Sequence, residues 1–249
     1  MPGRREIGMS LHFDFDYRLR WMDFDRYGRL HPFAVFDMCQ DLATVHAEQM
    51  GIGRDDMLRQ GVIWVVVRQK YEVVSPPRHF QKLLARTWPH SPSRFSFQRD
   101  FSFRDEQGNE IVKATSEWVL MNVESRKFAS MKDVYEPADE YDSARAFERK
   151  PRKIHAFEEG NRPVVQIVPS YSDIDLNGHV NNARYANYIV EALRPDEHEC
   201  IRSLQIDYRY EVVPGEPLAM HTLVEDAMVR SKGVREDGTV AFTGAIELG

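Results

Sequence analysis

The chain is 249 residues long and 42% hydrophobic, enough for one large core or two modest ones, and no apolar run approaches the roughly 18 to 20 residues that a membrane-spanning helix needs. Lys and Arg number 33 against 39 Asp and Glu, a net charge of -6, which excludes a nucleic-acid footprint over the whole surface but leaves room for a local basic patch. Two cysteines, Cys39 and Cys200, make neither a disulfide framework nor a metal site, and the opening Met-Pro-Gly-Arg-Arg-Glu-Ile-Gly holds no apolar run for a signal peptide, so cytoplasmic residence is the expectation.

In chain order, Asp14-Phe15-Asp16 reads as the edge of a first short strand. An Asp-rich turn from Trp21 to Leu30 follows. Val35, Met38, Cys39, Leu42 and His46 then fall at i, i+3, i+4, i+7 and i+11, one face of a helix that Gly51-Ile52-Gly53 stops. Val62 to Val67 is a continuous apolar run, the pattern of a strand buried on both faces. Phe95, Phe97, Phe101 and Phe103 alternate with polar residues, and Gln107-Gly108-Asn109 closes a hairpin. Lys132 to Pro163 is charged, with few large apolar residues, and predicts a linker with one short helix before Pro151. A second Asp-rich turn, Ser172 to Tyr185, opens a helix with Ala183, Ala186, Val190 and Leu193 on one face, Asn181 or Asn182 at its N-cap and Pro195 at its end. Asp237-Gly238 is another hairpin turn. A helix followed by an antiparallel sheet that wraps it is the hotdog arrangement, and here it occurs twice. The predicted fold is therefore α+β, a tandem (double) hotdog: residues 1–131 form the first unit, 132–163 the linker and 164–249 the second unit, with the two sheets abutting as an internal pseudo-dimer.

Internal repeats carry the functional argument. Trp21, Asp23, Asp25, Gly28 and Leu30 align without gaps on Tyr171, Asp173, Asp175, Gly178 and Val180. Tyr71-Glu72-Val73-Val74 recurs as Tyr210-Glu211-Val212-Val213, which predicts that Glu72 and Glu211 are equivalent, and Gly108 to Glu117 can be laid on Gly238 to Glu247. Within the turn, Tyr27 replaces Asn177 and Arg29 replaces His179. A turn that only started a helix would need neither an amide nor an imidazole, so the Asp pair, the Gly and the aliphatic residue are the structural part, and Asn177 with His179 is the chemical excess. An imidazole exchanges protons near neutral pH, and an amide can orient a water or a carbonyl. With Asp175 beside them and a helix N-terminus following, these are parts for acyl transfer to water. No nucleophile elbow, Cys-x-x-Cys or His-Glu-x-x-His occurs.

Asp175-x-Asn177-x-His179-Val180-Asn181-Asn182-x-x-Tyr185, followed by Asp207-Tyr208-Arg209-Tyr210-Glu211, closely resembles the plant and bacterial acyl-ACP thioesterases over nearly the whole chain. The resemblance implies a double hotdog that hydrolyses fatty acyl-ACP with no metal or cofactor and takes acyl carrier protein as substrate carrier. It also implies a catalytic set of Asp175, Asn177, His179 and Glu211 in the second unit, while the first unit shapes the acyl pocket. Val212 stands where the plant enzymes carry a Cys, which excludes a cysteine nucleophile there and favours attack by water, with Glu211 or His179 as base. An acyl-CoA thioesterase on the same fold and a non-hydrolytic acyl-binding protein are the competing readings, and homodimerisation is left open. Acyl carrier protein is acidic, so positive charge must gather locally. Arg145, Arg149, Lys150, Arg152 and Lys153 form one candidate stretch, and Arg68, Lys70, Arg78, Lys82 and Arg86 another.

Overall fold

The structure, a computed structural model, describes residues 11–131, 134 and 141–249. The first residues of the chain and most of the first third of the expected linker lie outside the described residues. In chain order the elements are β1 (Phe13–Arg18), α1 (Pro32–Gln49), α2 (Arg54–Arg59), β2 (Val62–Val73), β3 (Lys82–Pro89), β4 (Phe97–Arg104), β5 (Glu110–Asn122), β6 (Phe128–Ala129), β7 (Val165–Ile167), α3 (Arg184–Leu193), β8 (Ile201–Tyr208), β9 (Leu218–Glu225), β10 (Met228–Arg235) and β11 (Val240–Leu248). The strands form one antiparallel sheet in the order β1-β3-β4-β5-β2-β8-β11-β10-β9-β7, with β6 on β5. Among the described residues no helix is long and apolar enough to cross a membrane.

The two halves join where β2 meets β8, and the ladder runs from Arg68↔Asp207 to Glu72↔Ser203. The larger of two apolar clusters lies on the inner face, where α1 and α3 pack side by side, and the smaller gathers Met57, Val62, Phe97 and Leu120 under α2. Phe36 of α1 meets Tyr71 edge-on at 5.3 Å, and Tyr185 of α3 meets Tyr208 and Phe242 at 5.3 and 4.9 Å. The face read for α1 is buried throughout. In α3 the buried face is wider than read, centred on Tyr185, Ala186, Ile189, Ala192 and Leu193 with Val190 at its margin, because the helix also meets β9 and α1. Gly244 of β11 lets α3 sit close: a Cβ there would lie 2.7 Å from the Ile189 Cδ1. The N-cap is Ala183 rather than Asn181 or Asn182; Asn181 Oδ1 accepts the Ala183 N–H at 2.9 Å just ahead of the helix, and Arg194, left-handed at φ +51°, ends it before Pro195.

Two expectations change. Val62 to Val67 is only half buried along most of its length, because β8 reaches no further than Arg68 and this part of β2 has β5 alone beside it. Residues 141–150, the described stretch leading to Pro151, are not helical. Residues 141–163 instead run as an extended strap over the outer face of the sheet, held by buried polar side chains on that face. Asp100 Oδ2 accepts the Ala146 N–H at 2.9 Å, Asp207 Oδ2 accepts the Ile154 N–H at 2.7 Å, and Lys232 Nζ donates to the Phe157 carbonyl at 2.6 Å. Phe147 lies under the ammonium groups of Lys70 and Lys113, and Ile154 and Phe157 are buried. The strap's few apolar residues are its anchors, which is why its charged composition reads as a free linker.

Candidate active site

The second Asp-rich turn is a small closed loop. Ile174 and Val180 bridge its ends, Asp175 N–H donates to the His179 carbonyl at 2.9 Å, and Gly178 takes φ +80°, a conformation that disfavours any side chain. Asp175 organises the interior: Oδ1 accepts the Asn177 N–H at 2.8 Å and the His179 N–H at 3.4 Å, and Oδ2 accepts the Asn177 side-chain amide at 3.3 Å. The first turn repeats this frame bond for bond. Phe24 bridges Leu30, Gly28 sits at φ +76°, and Asp25 Oδ1 accepts the N–H groups of Tyr27 and Arg29 at 2.8 and 2.9 Å. Burial works to raise the Asp25 carboxyl, but those N–H groups and the Arg29 guanidinium outweigh it and hold the group below the usual carboxylate range.

Chemistry separates the copies. Arg29 is committed to structure through Nε on Asp25 Oδ2 at 2.9 Å and Nη1 on the carbonyls of Asp196 and Glu199, while its buried Nη2 has no hydrogen-bond partner, so it ties the first turn to the loop after α3. His179 instead faces Glu211, with Nε2 3.4 Å from Oε2. The contact follows from backbone geometry: Val180 N–H donates to the Val212 carbonyl at 2.9 Å, and Val212 is wholly buried, so Glu211 before it points outward beside the imidazole. Both side chains keep about a third of their surface open, at 31% and 34%. Thus the four sequence-predicted residues form two linked pairs: Asp175 with Asn177 within the turn, and His179 with Glu211 across to the next loop.

The expected equivalence of Glu72 and Glu211 fails. Val73 pairs with Val112, and Tyr208 with Phe242, at matching distances from the glycine hairpins, so Val73 and Tyr208 are the equivalent strand ends. The loops that follow agree residue for residue. Arg78 N–H donates to Gln81 Oε1 at 2.8 Å as Val213 N–H donates to Glu216 Oε2 at 3.2 Å, and left-handed Phe80 corresponds to left-handed Gly215. Glu211 therefore matches Pro76, and Glu72 matches Asp207. The repeated tetrapeptide is a coincidence of spelling that ladder register overrules. Glu72 pairs with Lys113 at 3.3 Å and faces neither Arg29 nor Tyr27. The first turn thus lacks the imidazole, the amide and the carboxylate together.

One participant was invisible in the sequence. Arg126, in the tight turn between β5 and β6, places Nη2 2.5 Å from Glu211 Oε2, although 85 residues separate them. Among the described residues no group of three or more His, Cys, Asp or Glu side chains is placed to hold a metal ion.

The sequence matches the acyl-ACP thioesterase N-terminal domain over residues 10–138 and the acyl-ACP thioesterase C-terminal domain over residues 158–241. The chain belongs to the acyl-ACP thioesterase family. Asp175, Asn177, His179 and Glu211 all fall in the C-terminal domain of this acyl-ACP thioesterase family member, and Arg126 falls in its N-terminal domain. Among relatives, the chloroplastic acyl-[acyl-carrier-protein] hydrolase FATB2 of Cuphea viscosissima is 28% identical over 82% of this chain and 52% of its own length. Oleoyl-acyl carrier protein thioesterase 1 of Arabidopsis thaliana is 26% identical over 82% of this chain and 62% of its own. The chain therefore spans only half to three-fifths of these relatives. The crystal structure of an acyl-ACP thioesterase from Bacteroides thetaiotaomicron superposes with a TM-score of 0.82 at 26% identity, covering 96% of this chain and 98% of that one. The double hotdog is thus shared with that enzyme.

Proposed function

We propose that this family member hydrolyses the thioester of fatty acyl carrier protein, releasing a free fatty acid and ending chain elongation. The carrying observation is the contrast between two turns with the same hydrogen-bonded frame: the second sets His179 against Glu211, and the first holds Arg29 on backbone carbonyls and Pro76 in the carboxylate's place. The reaction uses water. Glu211, its carboxylate beside the imidazole, takes a proton from water as the oxygen attacks the thioester carbonyl carbon. The tetrahedral intermediate collapses with cleavage of the C–S bond, and the proton ends on the departing thiolate, leaving a carboxylic acid and the carrier's free thiol. His179 holds the Glu211 carboxylate and the water in register. Asn177, exposed at the turn and tethered to Asp175, is placed to donate to the substrate carbonyl. The first unit shapes the acyl pocket, and residues 1–131 and 164–249 act as one unit each around the strap. Two free cysteines suit a cytoplasmic enzyme.

Of the two basic groups, the one running from Arg68 to Arg86 is largely committed: Arg68 to Asp207, Lys82 to Glu106 and Arg86 to Asp14. In the strap, Lys150 pairs with Glu117, but Arg149, Arg152 and Lys153 are exposed and form the better candidate for the acidic carrier. The experiment is a hydrolysis assay over acyl-ACPs of graded chain length with matching acyl-CoAs. Turnover confined to the carrier-bound substrates supports the proposal. Preference for the CoA esters replaces it with an acyl-CoA thioesterase, and no turnover of either leaves acyl binding alone.

A further inference from the structure

Arg126 is the one cation in contact with the His179–Glu211 pair among the described residues, and it arrives from the other unit. Its turn is built for one conformation. Asn122 N–H donates to the Lys127 carbonyl at 2.9 Å, Arg126 N–H donates to the Asn122 carbonyl at 3.0 Å, and Asn122 Oδ1 accepts both the N–H and the hydroxyl of Ser125. Val123 N–H donates to the Gly61 carbonyl, anchoring the turn to the start of β2. Within this frame Arg126 takes φ +56°, a left-handed conformation uncommon for a residue with a Cβ and held here by the hydrogen bonds of the turn. Strain of this kind concentrates at functional sites. Nothing in the turn itself uses the guanidinium, whose partner is Glu211 Oε2.

Arg126 and His179 converge on the same carboxylate oxygen, at 2.5 and 3.4 Å, so Oε1 is the oxygen turned toward other partners. A flexible glutamate a third open to water samples several rotamers, and a charge-assisted bond from a guanidinium narrows them. We infer that Arg126 is a positioning residue: held by the β5–β6 turn of the N-terminal unit, its guanidinium fixes the Glu211 carboxylate beside His179 so that Oε1 meets the attacking water, and the working site is thereby completed by both units. This rests on the proposed hydrolytic site. It also gives the first unit a direct part in the chemistry beyond shaping a pocket.

The test compares Arg126→Ala and Arg126→Lys with the unaltered chain, on acyl-ACP and on a small acyl thioester, with melting temperature read in parallel. Loss of a positioning contact should lower kcat about tenfold on both substrates and leave KM within twofold, since the substrate handle is untouched. Lysine, with one charged donor but no fork, should recover part of the loss, and millimolar guanidinium should raise the rate of the alanine variant but not of the lysine variant. Wild-type kcat in Arg126→Ala overturns the inference. So does a rise in KM without a fall in kcat, which makes Arg126 a substrate handle, or an equal loss in both variants with a lowered melting temperature, which makes it a structural turn residue. Glu211→Gln and His179→Ala run alongside separate the two levels. If they are inactive while Arg126→Ala is normal, only the positioning role falls; if they remain active, the site itself is wrong.

Discussion

Asp207 gives a stringent check on how the two halves are held together. It is 3% exposed, on the outer face at the junction of β2 and β8, and its carboxylate accepts Arg68 Nε at 2.7 Å, Arg68 Nη2 at 3.0 Å, the Gln205 amide at 2.8 Å and the Ile154 N–H of the strap at 2.7 Å. Asp207→Ala leaves a half-buried guanidinium, an amide and a backbone N–H without that acceptor. Removing one partner of a buried ion pair costs about 3 to 5 kcal/mol. Glu117 Oε2 still stands 3.0 Å from Arg68 Nη1, which places the loss near the lower end, about 3 kcal/mol. For a chain of this size about 2 to 4 °C accompany each kcal/mol, so the melting temperature should fall by about 6 to 12 °C. Calorimetry or circular dichroism measures it, and limited proteolysis should show faster cleavage in the strap around Ile154. The turnover of the protein that remains folded should stay within a few-fold, because Glu211 is set by the Val180–Val212 bond on the other side of the sheet. An unchanged melting temperature with lost activity would refute this reasoning and move Asp207 into the chemistry.

Arg29→Ala should lower stability by about 2 kcal/mol, as bonds from a charged donor to carbonyls are lost, while kcat stays within a few-fold; the paired readings come from thermal melts and a steady-state assay. Gly244→Ala should cost about 1 to 3 kcal/mol by overpacking against Ile189, and adding Ile189→Val should recover part of that loss in denaturant titrations. Reversing Arg149 and Arg152 to Glu should raise KM for acyl-ACP and flatten its salt dependence without altering turnover of a small thioester. An unchanged KM would remove the strap from the carrier interface.

Local patterns were legible where one element explains its own residues. The apolar stripe of α1, the glycines of the two hairpins and the Asp-rich turns all carry their cause within a dozen positions. The same holds for three of the four predicted site residues, since Asp175, Asn177 and His179 share one loop. What failed depends on partners distant in the chain. The apolar run at Val62 reads as doubly buried only if β8 pairs along all of β2, and the pairing stops at Arg68. The strap reads as a linker because its anchors, Phe147, Ile154 and Phe157, are sparse and its backbone N–H and carbonyl groups do the rest of the holding. Glu72 was matched to Glu211 by spelling, whereas equivalence in a sheet is set by register, which letters do not record. Arg126 left no local signal at all, because its meaning lies in an oxygen 85 residues away.

The central claim is that one working site, built on His179 and Glu211, sits opposite a copy stripped of its chemistry. The most direct measurement is single-turnover hydrolysis of acyl-ACP by His179→Ala, Asn177→Ala and Glu211→Gln beside Tyr27→Ala and Glu72→Gln, each with its melting temperature. The account predicts losses of about 10²-fold or more in the first three with folding intact. The last two should keep rates within a few-fold, and Glu72→Gln should lose no more than about 1 kcal/mol of stability, the worth of a partly exposed ion pair. Near-normal hydrolysis by Glu211→Gln, or equal losses in both groups, would contradict it.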